Sequence, residues 1–222
     1  MIIATWNVER LKHRRELDTI IEVCDNVKAD ILVLTETDAQ VLAPLPFAFH
    51  TPTLVAIQPD YYKPTENRVS IFTRYCCVQQ HPTYDPYTAL CVELETERGH
   101  LLVYGTIMGI YGNRHENFRT DLPRQVEDIK RLSEGGVNIC VAGDYNLSFS
   151  DNYYFTKDGR TKVLDCFSQV GMTILTAERT WCIDHIAVSD RFVSGAEIRI
   201  EEWNLEKSLS DHKGILADLT WR

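Results

Sequence analysis

The sequence predicts an α/β protein: a layered sandwich of two β-sheets packed face to face, with helices on the outside. Three observations lead there. Apolar, β-branched runs of strand length recur from residue 2 to residue 219. The first two enclose a helical pattern, a strand–helix–strand unit that implies parallel pairing and a right-handed crossover. The strands fall into two halves, each with one main amphipathic helix, and two sheets with helices outside is the economical way to bury both. No repeat, low-complexity run or linker interrupts residues 1–222, so one domain is expected.

In order, residues 2–8 read as a strand. Residues 11–27 read as a helix, with Leu17, Ile20, Ile21, Cys24 and Val27 on one face. Residues 31–34 are a buried strand ending in Thr35-Glu36. Residues 41–67 hold five of the eight prolines and read as irregular, with a short strand at 54–57. Strands follow at 69–73, 89–95 and 101–107, the last two joined as a hairpin across Glu97-Arg98-Gly99. Leu122, Val126, Ile129 and Leu132 form the stripe of a helix over 117–133, ended by Gly135-Gly136. The strand at 139–142 comes next, then a short helix over 162–170 capped by Gly171. Strands at 172–175, 183–188, 196–203 and 214–219 complete the chain.

Composition narrows the function. Net charge is −9, against a protein that grips long nucleic acid by charge alone. No apolar run is long enough for a membrane span. No signal peptide is visible, and seven scattered cysteines without a CxxC fit buried free thiols in a reducing, cytoplasmic setting.

The most informative stretch is Ile139 to Asn146. Its apolar strand ends in Gly143, and Asp144 and Asn146 follow where open α/β sheets bind ligands. Taken alone this is also an ordinary turn, since Gly, Asp and Asn are turn residues. Four more polar clusters sit at strand ends or edges: Trp6-Asn7-Val8-Glu9, Thr35-Glu36, Asp184-His185 and Ser210-Asp211-His212.

That ordered set resembles the endonuclease/exonuclease/phosphatase superfamily, and Arg68 to Arg74 resembles one of its strands. The resemblance covers residues 2 to 220 and implies a four-layer α/β sandwich of two mixed sheets flanked by helices. It implies a divalent-metal-dependent phosphoester hydrolase, a phosphodiesterase or nuclease, using magnesium or alternatively manganese. Glu36, Asn7 and Asp211 would hold the metal, and hard cations do prefer such oxygens. Asp144 would orient and deprotonate a water, with Asn146 placing it or a phosphoryl oxygen. His212, with Asp184 on its other ring nitrogen, would donate to the phosphate.

The family's His or Tyr in the strand at 101–110 has no histidine counterpart in Thr106-Ile107-Met108-Gly109-Ile110. Tyr111, Asn113 and Arg114 are the substitutes expected to contact substrate. Glu9 is either a metal neighbour or a solvated loop charge. The basic run Arg10, Lys12, His13, Arg14 and Arg15 is either a phosphate grip or a solvated first helical turn, where it opposes the helix dipole. Tyr61, Tyr62, Tyr84, Tyr87, Tyr153 and Tyr154 either stack on bases or pack loops. His185 reads as a packed strand histidine, Trp6 and Trp181 as core, with pocket lining as the alternative for Trp181, and Asp151 as a loop acid. The substrate is nucleic acid or a nucleotide, or alternatively a small phosphorylated metabolite or lipid headgroup. A degenerate binding protein on the same scaffold is the third reading. Substrate identity and oligomeric state stay open.

Overall fold

The computed structural model describes residues 1–221. β1 (Ile2–Asn7) leads through two 3₁₀ turns, Glu9–Leu11 and Arg14–Glu16, into α1 (Leu17–Asn26) and β2 (Ile31–Asp38). Then come β3 (Phe47–His50), β4 (Glu66–Thr73), β5 (Cys76–His81), β6 (Ala89–Thr96), β7 (Gly99–Ile107) and α2 (Glu116–Glu134). β8 (Asn138–Asp144), α3 (Lys157–Gln169), β9 (Met172–Ile174) and β10 (Asp184–Ser189) follow. α4 (Asp190–Val193), β11 (Ala196–Trp203) and β12 (Gly214–Trp221) close the chain.

Two six-stranded sheets form, in the orders β11-β12-β1-β2-β4-β3 and β5-β6-β7-β8-β10-β9. β1–β2 and β7–β8 are parallel, each joined through a helix, and the other pairs are antiparallel, so both sheets are mixed. Ile3, Val33 and Ile71 of the first sheet meet Val92, Val103 and Ile186 of the second in the central core. α1 covers Leu32, Leu34 and Phe72 on one outer face, and α2 and α3 cover Tyr104, Ile139 and Val141 on the other. This is the four-layer sandwich expected. The two sheets are not simply the two halves of the chain, however. β11 and β12 return to the first sheet, with β12 antiparallel to β1, so the loop before β12 arrives beside the end of β1.

Several elements differ from the expectations. The helix over 11–27 starts only at Leu17, because Glu9, Arg10 and Leu11 have φ of 50°, 56° and 51°, which a right-handed helix excludes. Arg10 and Lys12 therefore lie outside any helix dipole. The expected strand at 54–57 is a 3₁₀ turn, Leu54–Ala56, and the true strand, β3, is an edge strand hidden between Pro46 and Pro52. β5 (CCVQQH), another edge strand, is too polar to read as one. α3 begins at Lys157, where Thr156 Oγ1 accepts from Gly159 N at 3.1 Å. Every cysteine is a free thiol. No helix among the described residues is long and apolar enough to cross a membrane.

Candidate active site

The five polar clusters meet at one end of the two sheets. Gly143 makes this possible, because β8 runs so close to β7 that a Cβ there would strike the Thr106 carbonyl. Asp144 closes β8 and Asp184 opens β10, and the two are direct partners in the antiparallel register. Asn146 follows with φ of 50°, a left-handed backbone that asparagine tolerates. Glu36 also has a left-handed φ, 45°, which costs a non-glycine residue on the order of 1 kcal/mol. It falls opposite Arg68, between the Thr35–Val69 and Thr37–Asn67 pairs of β2 and β4.

His212 is the hinge of the arrangement. Its Nδ1 lies 2.6 Å from Asp184 Oδ2, and its Nε2 is 3.7 Å from Asp211 Oδ1. Burial alone would lower its pKa, but the charges of Asp184, Asp144 and Asp211 and the Asp184 hydrogen bond win, raising it to about 10. The backbone around it is pinned. Ser210 Oγ donates to the Asn7 carbonyl at 2.6 Å and accepts from His212 N at 3.1 Å, while Trp6 Nε1 donates to the His212 carbonyl at 3.2 Å.

Asp144 is 3% exposed, and its Oδ1 accepts from Asn146 N at 2.8 Å. Its Oδ2 accepts from Asn7 Nδ2 at 3.3 Å and Asn146 Nδ2 at 3.4 Å. Desolvation raises its pKa, His212 opposes the rise, and Asp184 and Glu36 add to it, giving about 7. The Asn146 amide nitrogen is spent on the Met108 and Gly109 carbonyls, at 3.1 and 3.0 Å. Asp184 keeps one buried oxygen, Oδ1, with no partner. Asn7 Oδ1 accepts from Glu9 N at 2.8 Å, and Glu9 Oε2 accepts from Asp211 N at 3.0 Å. The Glu36 carboxylate has no protein hydrogen bond or ion pair. Asp211 is exposed at the rim. Among the described residues no three His, Cys, Asp or Glu side chains are gathered to hold a metal ion.

Two clefts flank this centre. One, of about 250 Å³, is lined by Asn146, Asp184, Asp211 and His212 together with Tyr153, Trp181 and Lys213. The other, of about 160 Å³, is lined by Glu36, Arg10, Lys12, Arg68, Tyr62 and Tyr111. Trp181, read from sequence as core with pocket lining as its alternative, is 62% exposed in the cleft, and its ring lies 4.9 Å from that of Tyr153. Asp151 explains the loop: its Oδ2 accepts from Trp181 N at 2.7 Å and its Oδ1 from Tyr153 N at 3.0 Å. Trp6 is core.

Asn113, expected at the substrate, is instead buried and donates from Nδ2 to the Asn146 carbonyl at 2.7 Å. It braces Asn146 and does not face the cleft opening. Tyr111 and Arg114 are exposed, and Tyr111 packs on His115 with ring centroids 4.9 Å apart. His185 is fully buried between Thr176 Oγ1 and the Leu147 carbonyl, each at 2.9 Å, and burial lowers its pKa to about 4. Sequence reading missed the cleft role of Arg68, whereas pocket lining by Trp181 and base stacking by Tyr153 were among its alternatives.

Solved structures share this fold across nearly the whole of this chain. A 3′ phosphatase, NExo, from Neisseria, bound to product DNA hairpin, matches with a TM-score of 0.71 at 18% identity, covering 100% of both chains. An AP endonuclease from Archaeoglobus fulgidus matches with 0.68 at 14%, covering 99% of each. The human Nocturnin catalytic domain, with bound sulfate anion, matches with 0.71 at 15%, covering 100% of this chain and 93% of that one. No curated protein sequence matches. The profile of the endonuclease/exonuclease/phosphatase family, in contrast, spans residues 4–212, from β1 to His212 itself. Fold, motif order and profile agree, and this chain belongs to the endonuclease/exonuclease/phosphatase family, whose members are hydrolases acting on phosphoester bonds.

Proposed function

We propose that the chain is a divalent-metal-dependent phosphodiesterase, with nucleic acid or a nucleotide as substrate. The observation that carries this is the His212–Asp184 contact at 2.6 Å in the wall of a cleft, with the buried Asp144 opposite Asp184 on the neighbouring strand. It sets a fixed cation next to a carboxylate that titrates near neutrality, the pairing that a water attack on a phosphoester requires.

Asp144 orients the attacking water and accepts its proton, and its pKa of about 7 suits it to that task. Asn7 and the Asn146 backbone fix the carboxylate, and the Asn146 Oδ1 is left to accept a hydrogen bond from the attacking water. His212 stays protonated at neutral pH and donates from Nε2 to a phosphoryl oxygen, while Asp184 holds the ring. A single preorganised donor of this kind contributes about 10²–10³-fold in rate.

The donors present fit magnesium. The Glu36 carboxylate is uncommitted, Asn7 and Asp211 offer further oxygens, and magnesium keeps several waters beside one or two carboxylates. A bound ion would polarise the phosphoryl oxygen and offset charge in the transition state.

The test is a magnesium-dependent hydrolysis panel at pH 7–8. It comprises bis-p-nitrophenyl phosphate, oligonucleotides, an abasic duplex, nucleotides and sugar phosphates, with Asp144→Asn and His212→Ala as controls. Metal-dependent cleavage of oligonucleotides or nucleotides, lost in both controls, is expected. Activity confined to sugar phosphates would overturn the substrate assignment, and no turnover on any substrate would overturn the enzyme.

A further inference from the structure

Arg68 is the only lysine or arginine among the described residues that is buried, at 7% exposure. Every other buried charge has a counter-charge or several hydrogen bonds. Glu66 pairs with Arg10 at 2.9 Å, Asp128 with Arg131 at 2.7 Å, and Glu93 lies between His81 and His100 at 2.8 and 2.7 Å. No carboxylate lies within ion-pair distance of Arg68, and Asp121 feels its charge only at longer range. Its Nε is buried without a hydrogen-bond partner, and one Nη reaches only the Tyr62 hydroxyl, at 3.4 Å. The Tyr62 ring, with its centroid 5.7 Å from the guanidinium carbon, offsets part of the desolvation but supplies no counter-charge, and a buried charge without one is destabilising.

The guanidinium lines the second cleft, where further positive groups converge. Arg10 is fixed by Glu66 and lies over the rings of Tyr61 and Tyr62, at 4.5 and 4.8 Å. Lys12, largely exposed, stands at the mouth and bonds Glu9 at 2.6 Å. Of the two acids lining the cleft, Glu66 is already matched by Arg10 and Lys63, and Glu36 is the residue assigned to the metal. What the cleft lacks is an anion for Arg68, and a planar guanidinium fork with a tyrosine hydroxyl beside it matches phosphate oxygens.

We infer that this cleft takes a second phosphate of the substrate, with Arg68 as its buried anchor and Arg10 and Lys12 at its mouth. The inference rests on the proposed phosphodiesterase reading and sharpens it. The scissile phosphate lies at His212, and a neighbouring phosphate of the same molecule lies on the Glu36 side. The preferred substrate then carries at least two phosphates, as a nucleic acid chain or a nucleoside bisphosphate does.

The experiment is calorimetric titration without divalent ion, using thymidine 3′,5′-bisphosphate and inorganic phosphate as probes, on the wild-type chain, Arg68→Met and His212→Ala. Two linked sites predict that the wild type binds the bisphosphate at least about tenfold more tightly than phosphate. Arg68→Met is expected to abolish that preference, and His212→Ala to retain a phosphate site. A preference that survives Arg68→Met overturns the pocket, as does equal affinity of the wild type for both probes, which would mean free phosphate is its only ligand. Should Arg68→Met fail to fold, the exposed Lys12→Glu decides: bisphosphate binding weakened about tenfold supports the pocket, and unchanged binding overturns it. Hydrolysis of bis-p-nitrophenyl phosphate, which carries one phosphate, is run alongside. Its failure counts against the proposed activity and is thereby told apart from failure of the pocket.

Discussion

Asp144 and Asp184 face each other directly across β8 and β10, two buried carboxylates on neighbouring strands with the His212 imidazolium as the cation between their charges. Like charges placed opposite in a sheet repel, so the arrangement depends on His212 keeping its proton. Asp184→Asn keeps the shape and removes the charge nearest the ring. The expected result is a His212 pKa lowered toward its ordinary value and a kcat reduced by about 10²–10⁴. NMR titration of the His212 ring and steady-state kinetics check both; an unmoved pKa would remove Asp184 from this role.

Activity is expected to rise with pH through about 7, as Asp144 ionises, and to fall toward 10 as His212 loses its proton. Raising the magnesium concentration favours the ionised carboxylate, so the midpoint of the rising limb moves to lower pH. A pH–rate series at two magnesium concentrations measures this.

Acid stability is set in part by His185, which follows Asp184 on β10 but is fully buried on the side away from the cleft's polar groups, between Thr176 and Leu147. Burial lowers its pKa from 6.5 to about 4, so the unfolded chain takes up a proton between those values and the folded chain does not. The His185 contribution is therefore fully present above pH 6.5 and lost as pH falls to about 4. The loss amounts to up to about 3 kcal/mol. Urea midpoints measured from pH 7 to 4 are expected to fall, with a shallower slope in His185→Gln.

Trp181 is exposed beside the reacting centre and takes little part in the core. Trp181→Ala is expected to shift the melting temperature little and to raise KM for an oligonucleotide about tenfold, in line with one lost aromatic stack. KM for bis-p-nitrophenyl phosphate should move less. Equal effects on the two substrates would count against stacking.

The architecture was legible because β-branched runs and two amphipathic stripes report burial directly, and the cluster order named the family. Two of the four edge strands, β9 and β11, were legible and two were not: Phe47–His50 is a four-residue run hidden among prolines, and Cys76–His81 is too polar. Local pattern also hid the backbone at Glu9, Arg10 and Leu11, where three left-handed residues replace the first helical turns. In the site, the structure brings together the side chains anchored at strand ends, since a strand end fixes where its last residue goes. Loop residues follow no such rule. Asn113 turned inward to the Asn146 carbonyl and Trp181 outward, choices made by the hydrogen bonds of distant Asn146 and Asp151. Arg68 sat inside a recognised strand motif, and only three-dimensional burial shows that its charge is unmatched.

The bond from Ser210 Oγ to the Asn7 carbonyl joins residues 203 positions apart. Half of the reacting centre thus reaches the other half only when β12 zips against β1, a pairing of very high contact order and so among the slowest to form. A chain folded in every other respect, with both helical layers in place, would be catalytically silent. Turnover in a refolding experiment should accordingly lag behind secondary structure and report the final closure event.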